Sequence, residues 1–222
     1  SIDSSGNARF IGVATLNLKA YTCFETAGRF ITNLVLNGIA TFDTQGLTIE
    51  TSGTASSSVQ TSWPISSQLV AKIFGGSPTF SCILSMEGLV AASGVASSFF
   101  GIGAVAVNGA GHTFSASHIG FKILKTGGVV TLYATQADGT TENVSAALTT
   151  VVDTDALDLL IKVNGTTSVD YYWRKNNGAL SAATNLTSNL PTANARMVQF
   201  SVSNNATAFT FIIGVASASF ER

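Results

Sequence analysis

Apolar and polar residues alternate along most of this chain with the period of a strand. Val13-Ala14-Thr15-Leu16-Asn17-Leu18 alternates, as does Ala40-Thr41-Phe42-Asp43-Thr44, and after Gln45-Gly46 the pattern resumes in Leu47-Thr48-Ile49-Glu50-Thr51. A period of two puts successive side chains on opposite faces of a pleated strand, so such a run buries one face and wets the other. Further strands are predicted at Leu69 to Phe74, Thr79 to Met86, Phe99 to Val107, His118 to Leu124 and Val129 to Gln136. The C-terminal part adds Leu157 to Val163, Ser168 to Lys175, Met197 to Val202 and Phe209 to Ser219. These runs are rich in Val, Ile, Thr and Phe, which fit a pleated, half-buried surface. Good helix formers gather at most into one turn, near Ser66 to Lys72.

Turn chemistry separates the runs. Asn164-Gly165 stands between Leu159 to Val163 and Ser168 to Trp173 and predicts a hairpin. Asn37-Gly38 and Asn177-Gly178 repeat that signal, and Gly75-Gly76, Gly127-Gly128, Asp138-Gly139 and Asn204-Asn205 mark other strand ends. Many short strands with frequent turns predict an all-β, antiparallel β-sandwich or barrel, and no internal repeat suggests a solenoid or propeller. Residues 1–8 read as an N-terminal arm and 9–222 as one sandwich domain. The Ser/Thr-rich stretch Ser52 to Ser62 reads as a surface loop.

Composition narrows the setting. Charged residues are 10% of the 222, against roughly a quarter in an ordinary soluble domain. The net charge of −1 leaves no basic surface for phosphates and excludes a nucleic-acid binder. The 45% hydrophobic content is too high for charge-driven disorder. The most apolar stretches, Gly101 to Val107, Leu157 to Val163 and Phe209 to Ala216, fall short of the ~20 residues a spanning helix needs, so no membrane insertion is expected. No signal peptide is visible at the start, where Ser1 to Asn7 is polar. Cys23 and Cys82 read as buried free thiols, with one bridge between neighbouring strands left open.

Candidate chemistry is sparse. His112 and His118 are the two imidazoles, and neither has neighbours in sequence that complete a zinc site. Asp153-Thr154-Asp155-Ala156-Leu157-Asp158 lacks the central Gly and distal Glu of a calcium loop and reads as a polar lead into a buried strand. The five Glu residues are scattered, without the paired spacing of a glycosidase. No Gly-x-Ser-x-Gly elbow or phosphate loop occurs. The chain is therefore expected to be non-enzymatic, with no cofactor and no bound metal. Four Asn-x-Ser/Thr sequons, at Asn143, Asn164, Asn185 and Asn205, are about as many as chance supplies. Tyr171-Tyr172-Trp173 are the candidates for glycan or interface contact, because exposed rings stack on sugars and anchor interfaces. In a strand Tyr171 and Trp173 share one face and Tyr172 takes the other, so at least one ring belongs to the core.

Several blocks carry a resemblance: Asp158-Leu-Leu-Ile-Lys-Val-Asn-Gly165, Ser168-Val-Asp-Tyr-Tyr-Trp173, Leu190-Pro191 and Met197-Val-Gln-Phe-Ser-Val-Ser-Asn204. Together they resemble the C-terminal half of a concanavalin-like jelly roll, and Phe99-Phe-Gly-Ile-Gly103 and His118-Ile-Gly-Phe-Lys122 resemble its middle strands. Low-charge modules of this kind are similar to bacteriophage structural proteins such as head decoration and tail or fibre modules. The resemblance implies a jelly-roll sandwich and a non-enzymatic virion structural role, exerted through contacts with copies of itself and other virion proteins on the particle surface. The alternative is a glycan-binding lectin or adhesin module of a virion or cell surface. The metal-binding loop of legume lectins is not recognisable, so lectin activity is not carried over.

Overall fold

The structure is a computed structural model describing residues 31–36, 38–43, 46–51, 55–64, 79–87, 95–104, 112–191, 197–205 and 209–219, with side chains for 95–104 and 112–191. Among the described residues fifteen strands form two antiparallel sheets, and there is no α-helix. The eight-stranded sheet contains β1 (Ile31–Leu36), β4 (Ala55–Pro64), β14 (Met197–Asn205), β6 (Ala96–Gly103), β7 (His118–Thr126), β8 (Val129–Ala137) and β10 (Thr149–Val151) in that order. The short β9 (Glu142–Val144) also pairs with β8. The seven-stranded sheet runs β13 (Thr184–Leu186), β12 (Ser168–Lys175), β11 (Ala156–Asn164), β5 (Thr79–Glu87), β15 (Phe209–Ser219), β3 (Gly46–Thr51), β2 (Gly38–Asp43).

The sheets face each other through the alternation read in the sequence. In β11, Leu157, Leu159, Ile161 and Val163 are buried, while Asp158, Leu160, Lys162 and Asn164 turn to the outer face. Burying each of those four is worth about 1.5–3 kcal/mol. Val169 and Tyr171 continue the buried row on β12. The Tyr171 ring meets Phe121 of β7 edge-on, with centroids 5.5 Å apart, which ties the two layers together.

The centre of the eight-stranded sheet is buried on both faces. All eight residues of β6 are buried. Phe100 and Phe121 are paired in the ladder on the inner side, whereas Phe99 lies on the outer side. Gly101 and Gly120 are also paired, and the Phe99 ring occupies the space their side chains would fill. A Cβ on Gly120 would stand 2.3 Å from Phe99 Cε2. Phe114 packs on the same ring, so the segment before β7 covers this face.

Among the described residues, one glycine pair turns as its chemistry predicts and two Asn-Gly signals do not. Thr126 pairs with Val129, so Gly127 and Gly128 form a two-residue hairpin, and both have positive φ (59° and 85°), as the favoured primed turn requires. Asn164 stays in its strand and pairs with Ser168, so the β11–β12 loop holds three residues, not two. Its side-chain amide donates to Asp170 Oδ2 at 2.7 Å, which holds it in the ladder. Asn37-Gly38 makes no hairpin, because β1 and β2 belong to opposite sheets. The expected loop at Ser52 to Ser62 is corrected as well. Its greater part is β4, which is paired on both sides, with β1 and β14. Ser and Thr favour turns only while their backbone lacks partners, and two neighbouring strands override that preference. The arm at 1–8, the strands at Val13 to Leu18 and Leu69 to Phe74 and the turn at Ser66 to Lys72 lie outside the described residues.

Candidate functional site

The three aromatic candidates do not form one surface. Tyr171 is fully buried, which removes it from the candidate contacts. Its hydroxyl lies 3.0 Å from the Thr135 carbonyl and 3.1 Å from Gln136 Oε1, sharing one proton between two acceptors. Burial pushes that hydroxyl's pKa well above its ordinary value. Tyr172 lies on the outer face of β12, across from Leu160. Trp173, half-buried at the far end of the strand, is braced by Ser181: its N–H donates to Ser181 Oγ at 3.0 Å and its carbonyl accepts the Ser181 N–H at 2.9 Å.

The acidic run is dispersed by its own hydrogen bonds. Asp155 Oδ2 accepts the Val152 N–H at 2.9 Å and pairs with Lys175 at 3.3 Å, while Oδ1 accepts Asn176 Nδ2 at 2.7 Å. Burial alone would raise its pKa, but these donors outweigh it and hold the carboxyl below its usual value. Asp158 Oδ2 instead takes two donors of Arg174. Among the described residues no group of three or more His, Cys, Asp or Glu is placed to hold a metal. Cys23 and the side chain of Cys82 lie outside the described residues.

The histidines belong to a buried polar cluster on the outer face of the eight-stranded sheet. Lys122 Nζ donates to both oxygens of Glu142 at 3.0 Å and lies 4.7 Å from the centre of the Phe114 ring. Glu142 also accepts the Phe114 N–H at 3.0 Å and the Thr135 hydroxyl at 2.8 Å. His118 Nδ1–H donates to the Ala116 carbonyl at 2.6 Å, and Nε2 lies 3.0 Å from Thr135 Oγ1. Burial drives the His118 pKa down to about 4. His112 Nδ1 lies 2.8 Å from Ser97 Oγ. Ser97 is only 3% exposed and His112 is half-buried, so this pair ties the covering segment down onto β6. Sequence spacing gives no hint of this cluster, because its members come from β6, β7, β8, β9 and the 112–117 segment.

A more open arrangement sits where the β8–β9 turn meets the segment after β13. Asp138 Oδ1 accepts the Thr140 N–H (2.8 Å), the Thr140 hydroxyl (2.7 Å) and the Thr141 N–H (3.0 Å). The Thr141 amide, then the Thr140 hydroxyl and amide, hold its carboxyl down to about 2, so it is ionised at any ordinary pH. Asn143 Nδ2 donates to Ser188 Oγ at 2.8 Å and Asn189 Nδ2 to the Thr141 carbonyl at 3.3 Å. Gln136 Nε2 donates to the Ser188 carbonyl from beneath. A chain of hydrogen bonds thus runs from Tyr171 in the core through Gln136 to this rim. The result is a preorganised set of one carboxylate, several amides and several hydroxyls, chemistry suited to hydrogen-bonding a polyhydroxylated ligand. In the sequence Asp138-Gly139 marks a strand end and nothing more. The Thr140 and Thr141 that follow are the signal of an Asp side chain capping its own turn.

No protein-family model matches the chain, and no curated protein sequence matches it. Solved structures do. The exoplasmic/lumenal domain of VIP36, in a form bound to Ca2+ and Man3GlcNAc, superposes with a TM-score of 0.57 at 10% identity, covering 90% of this chain and 86% of that one. The seed lectin of Lotus tetragonolobus superposes with a TM-score of 0.55 at 13% identity, covering 91% and 99%. The fold is that of the legume-type lectins. A protein of unknown function from Shewanella oneidensis MR-1 shares it, with a TM-score of 0.62 at 9% identity over 95% of this chain and 90% of that one. At such identities the likeness is of the concanavalin-like β-sandwich, and the lectin-like sandwich of this chain carries its own side chains at its rim.

Proposed function

We propose that this lectin-like sandwich is a non-enzymatic carbohydrate-binding module whose ligand is met by the rim of Asp138, Thr140, Asn143, Ser188 and Asn189. The observation that carries the reading is the cross-tying of two polar loops at one end of the sandwich. Sugars are recognised by fixed donors and acceptors, and loops held by each other and by a buried glutamine need little ordering when a ligand arrives. The likeness to proteins described as lectins and carbohydrate-recognition domains supports the same class. The virion setting rests on the low charge and on the resemblance to bacteriophage modules, and the similar structures favour the glycan reading over it. A surface location, on a particle or a cell, follows from the proposal and is part of it.

A glycan array with the wild-type protein is the direct test. Specific binding that falls at least tenfold in Asp138→Ala, and also falls in Asp138→Asn, supports the reading. Asparagine keeps an oxygen for the Thr140 and Thr141 donors, so loss in that variant reports the charge and not the turn. A protein that binds no glycan, or one whose binding is indifferent to both variants, refutes the rim.

A further inference from the structure

Residues 112–117 lie over the outer face of the eight-stranded sheet, and four hydrogen bonds tie them to described neighbours. His112 Nδ1 lies 2.8 Å from Ser97 Oγ. The Phe114 N–H donates to Glu142 Oε2 at 3.0 Å. The Ala116 carbonyl accepts His118 Nδ1–H at 2.6 Å. The fourth tie is plain backbone, from the Ala104 N–H to the Ser117 carbonyl at 2.9 Å. Three of these four have an ionisable side chain at one end.

The apolar anchor of the segment is one ring. Phe114 is 2% exposed, whereas Thr113 and Ser115 on either side of it are exposed. Its ring meets Phe99 edge-on, with centroids 5.7 Å apart, and Lys122 Nζ lies 4.7 Å from its centre. The same ring helps to seal His118. That imidazole stands edge-on to Phe99 at 5.0 Å and to Phe114 at 6.1 Å.

Two charged groups face His118 among the described residues, Glu142 of β9 and Lys122 of β7. They are paired with each other, so their effects on the imidazole oppose. His112, the other titratable group of the segment, also feels Lys122. Burial is the largest effect on both histidines and lowers both pKa values, that of His118 to about 4.

A proton on His118 is therefore unfavourable only while the imidazole is covered. Lifting 112–117 lets water reach the ring, and its pKa then moves back toward 6.5. Protons accordingly favour the open form. Between pH 6.5 and 4 opening gains roughly tenfold per pH unit, up to about 300-fold in all. Global unfolding feels the same pull, but it gives up both sheets and the core between them. Opening the segment gives up four hydrogen bonds and one buried ring, so the segment opens first.

We infer that residues 112–117 form an acid-released strap, shut over the outer face of the eight-stranded sheet at neutral pH and lifted in mild acid while the sandwich stays folded. Its release uncovers Phe99 and the Lys122–Glu142 pair, an aromatic and charged face that the strap hides.

Exchange of the Phe114 amide, followed by NMR on the full chain and corrected for the intrinsic effect of pH, tests the strap. Its protection should fall roughly tenfold per pH unit from 6.5 toward 4, while the ladder amides of β7 and β8 stay protected. His118→Gln should flatten that fall. Phe114→Ala supplies the reciprocal arm. With the anchoring ring gone the strap opens at neutral pH, and the His118 pKa rises toward 6.5. A Phe114 amide that stays protected at pH 4 overturns the inference. So does one that loses protection together with β7 and β8 in a single transition. A His118 that titrates in Phe114→Ala as it does in the wild type also overturns it, because the strap would then not be what buries the ring. The wild-type profile decides the matter even where a variant does not fold.

Discussion

The Tyr171 hydroxyl, rooted in the seven-stranded sheet, reaches the backbone carbonyl of Thr135 in the eight-stranded sheet at 3.0 Å. It is a polar bond between layers inside an apolar core, and it sits beside the edge-on contact of the same ring with Phe121. Removing the hydroxyl alone leaves the packing but strips a donor from two buried acceptors, Thr135 O and Gln136 Oε1. Tyr171→Phe should lower the unfolding free energy by about 1–3 kcal/mol, as for a buried group left unsatisfied. Urea unfolding with an unchanged slope would confirm it, and a variant as stable as the wild type would show the bond to be idle.

The paired glycines under Phe99 leave no room for a methyl group. Gly120→Ala places a Cβ 2.3 Å from the Phe99 ring and 2.7 Å from the Phe100 carbonyl. Overpacking of this kind costs about 1–3 kcal/mol or more. Part of the clash is with a side chain, so Phe99→Leu should relieve part of the cost. A double-mutant cycle on thermal unfolding would read this as coupling of at least ~0.5 kcal/mol, and strict additivity would be the contrary result.

Lys122 and Glu142 form an ion pair whose side chains are 6% and 5% exposed. Breaking such a pair from one side leaves a buried charge, at about 3–5 kcal/mol. Glu142→Gln should therefore destabilise strongly, and it should speed hydrogen exchange at the Phe114 amide, which donates to Glu142. Lys122→Met together with Glu142→Leu should recover much of the stability, because neither charge is then stranded. A single Glu142→Gln variant that loses less than about 1 kcal/mol would contradict the stranded-charge account.

Acid should act through His118. Its pKa is about 4 in the fold, against 6.5 for an unperturbed histidine, because burial disfavours the imidazolium. The unfolded chain takes the proton first, so the stabilisation is complete above pH 6.5 and is lost as pH falls toward 4. The full effect is about 3 kcal/mol, since each pH unit between the two values contributes about 1.4 kcal/mol. His118→Gln should show a shallower loss of stability over that interval, with other acid-sensitive groups common to both proteins. Parallel curves for the two would disprove it, as would a His118 titration observed by NMR at the ordinary position.

The sequence by itself determined the sandwich. Asp158, Lys162 and Asn164, alternating with Leu157, Leu159, Ile161 and Val163, mark which face of β11 is buried despite the apolar Leu160 on the outer face, and two consecutive glycines at 127 and 128 fix a tight hairpin, because both are local properties of the backbone. It also restricted Tyr171 and Tyr172 to opposite faces of one strand. Which of them faces the core was decided only when the second sheet arrived, since a strand's two faces are equivalent until something packs on one of them. The same holds for β4, whose Ser and Thr residues read as a loop until β1 and β14 satisfied their backbone on both sides. The buried cluster around Glu142 and the rim around Asp138 were invisible for a related reason. Glu142 lies 20 residues from Lys122, and Ser188 lies 45 from Asn143, and antiparallel pairing across two sheets brings such residues together without leaving any short spacing in the chain.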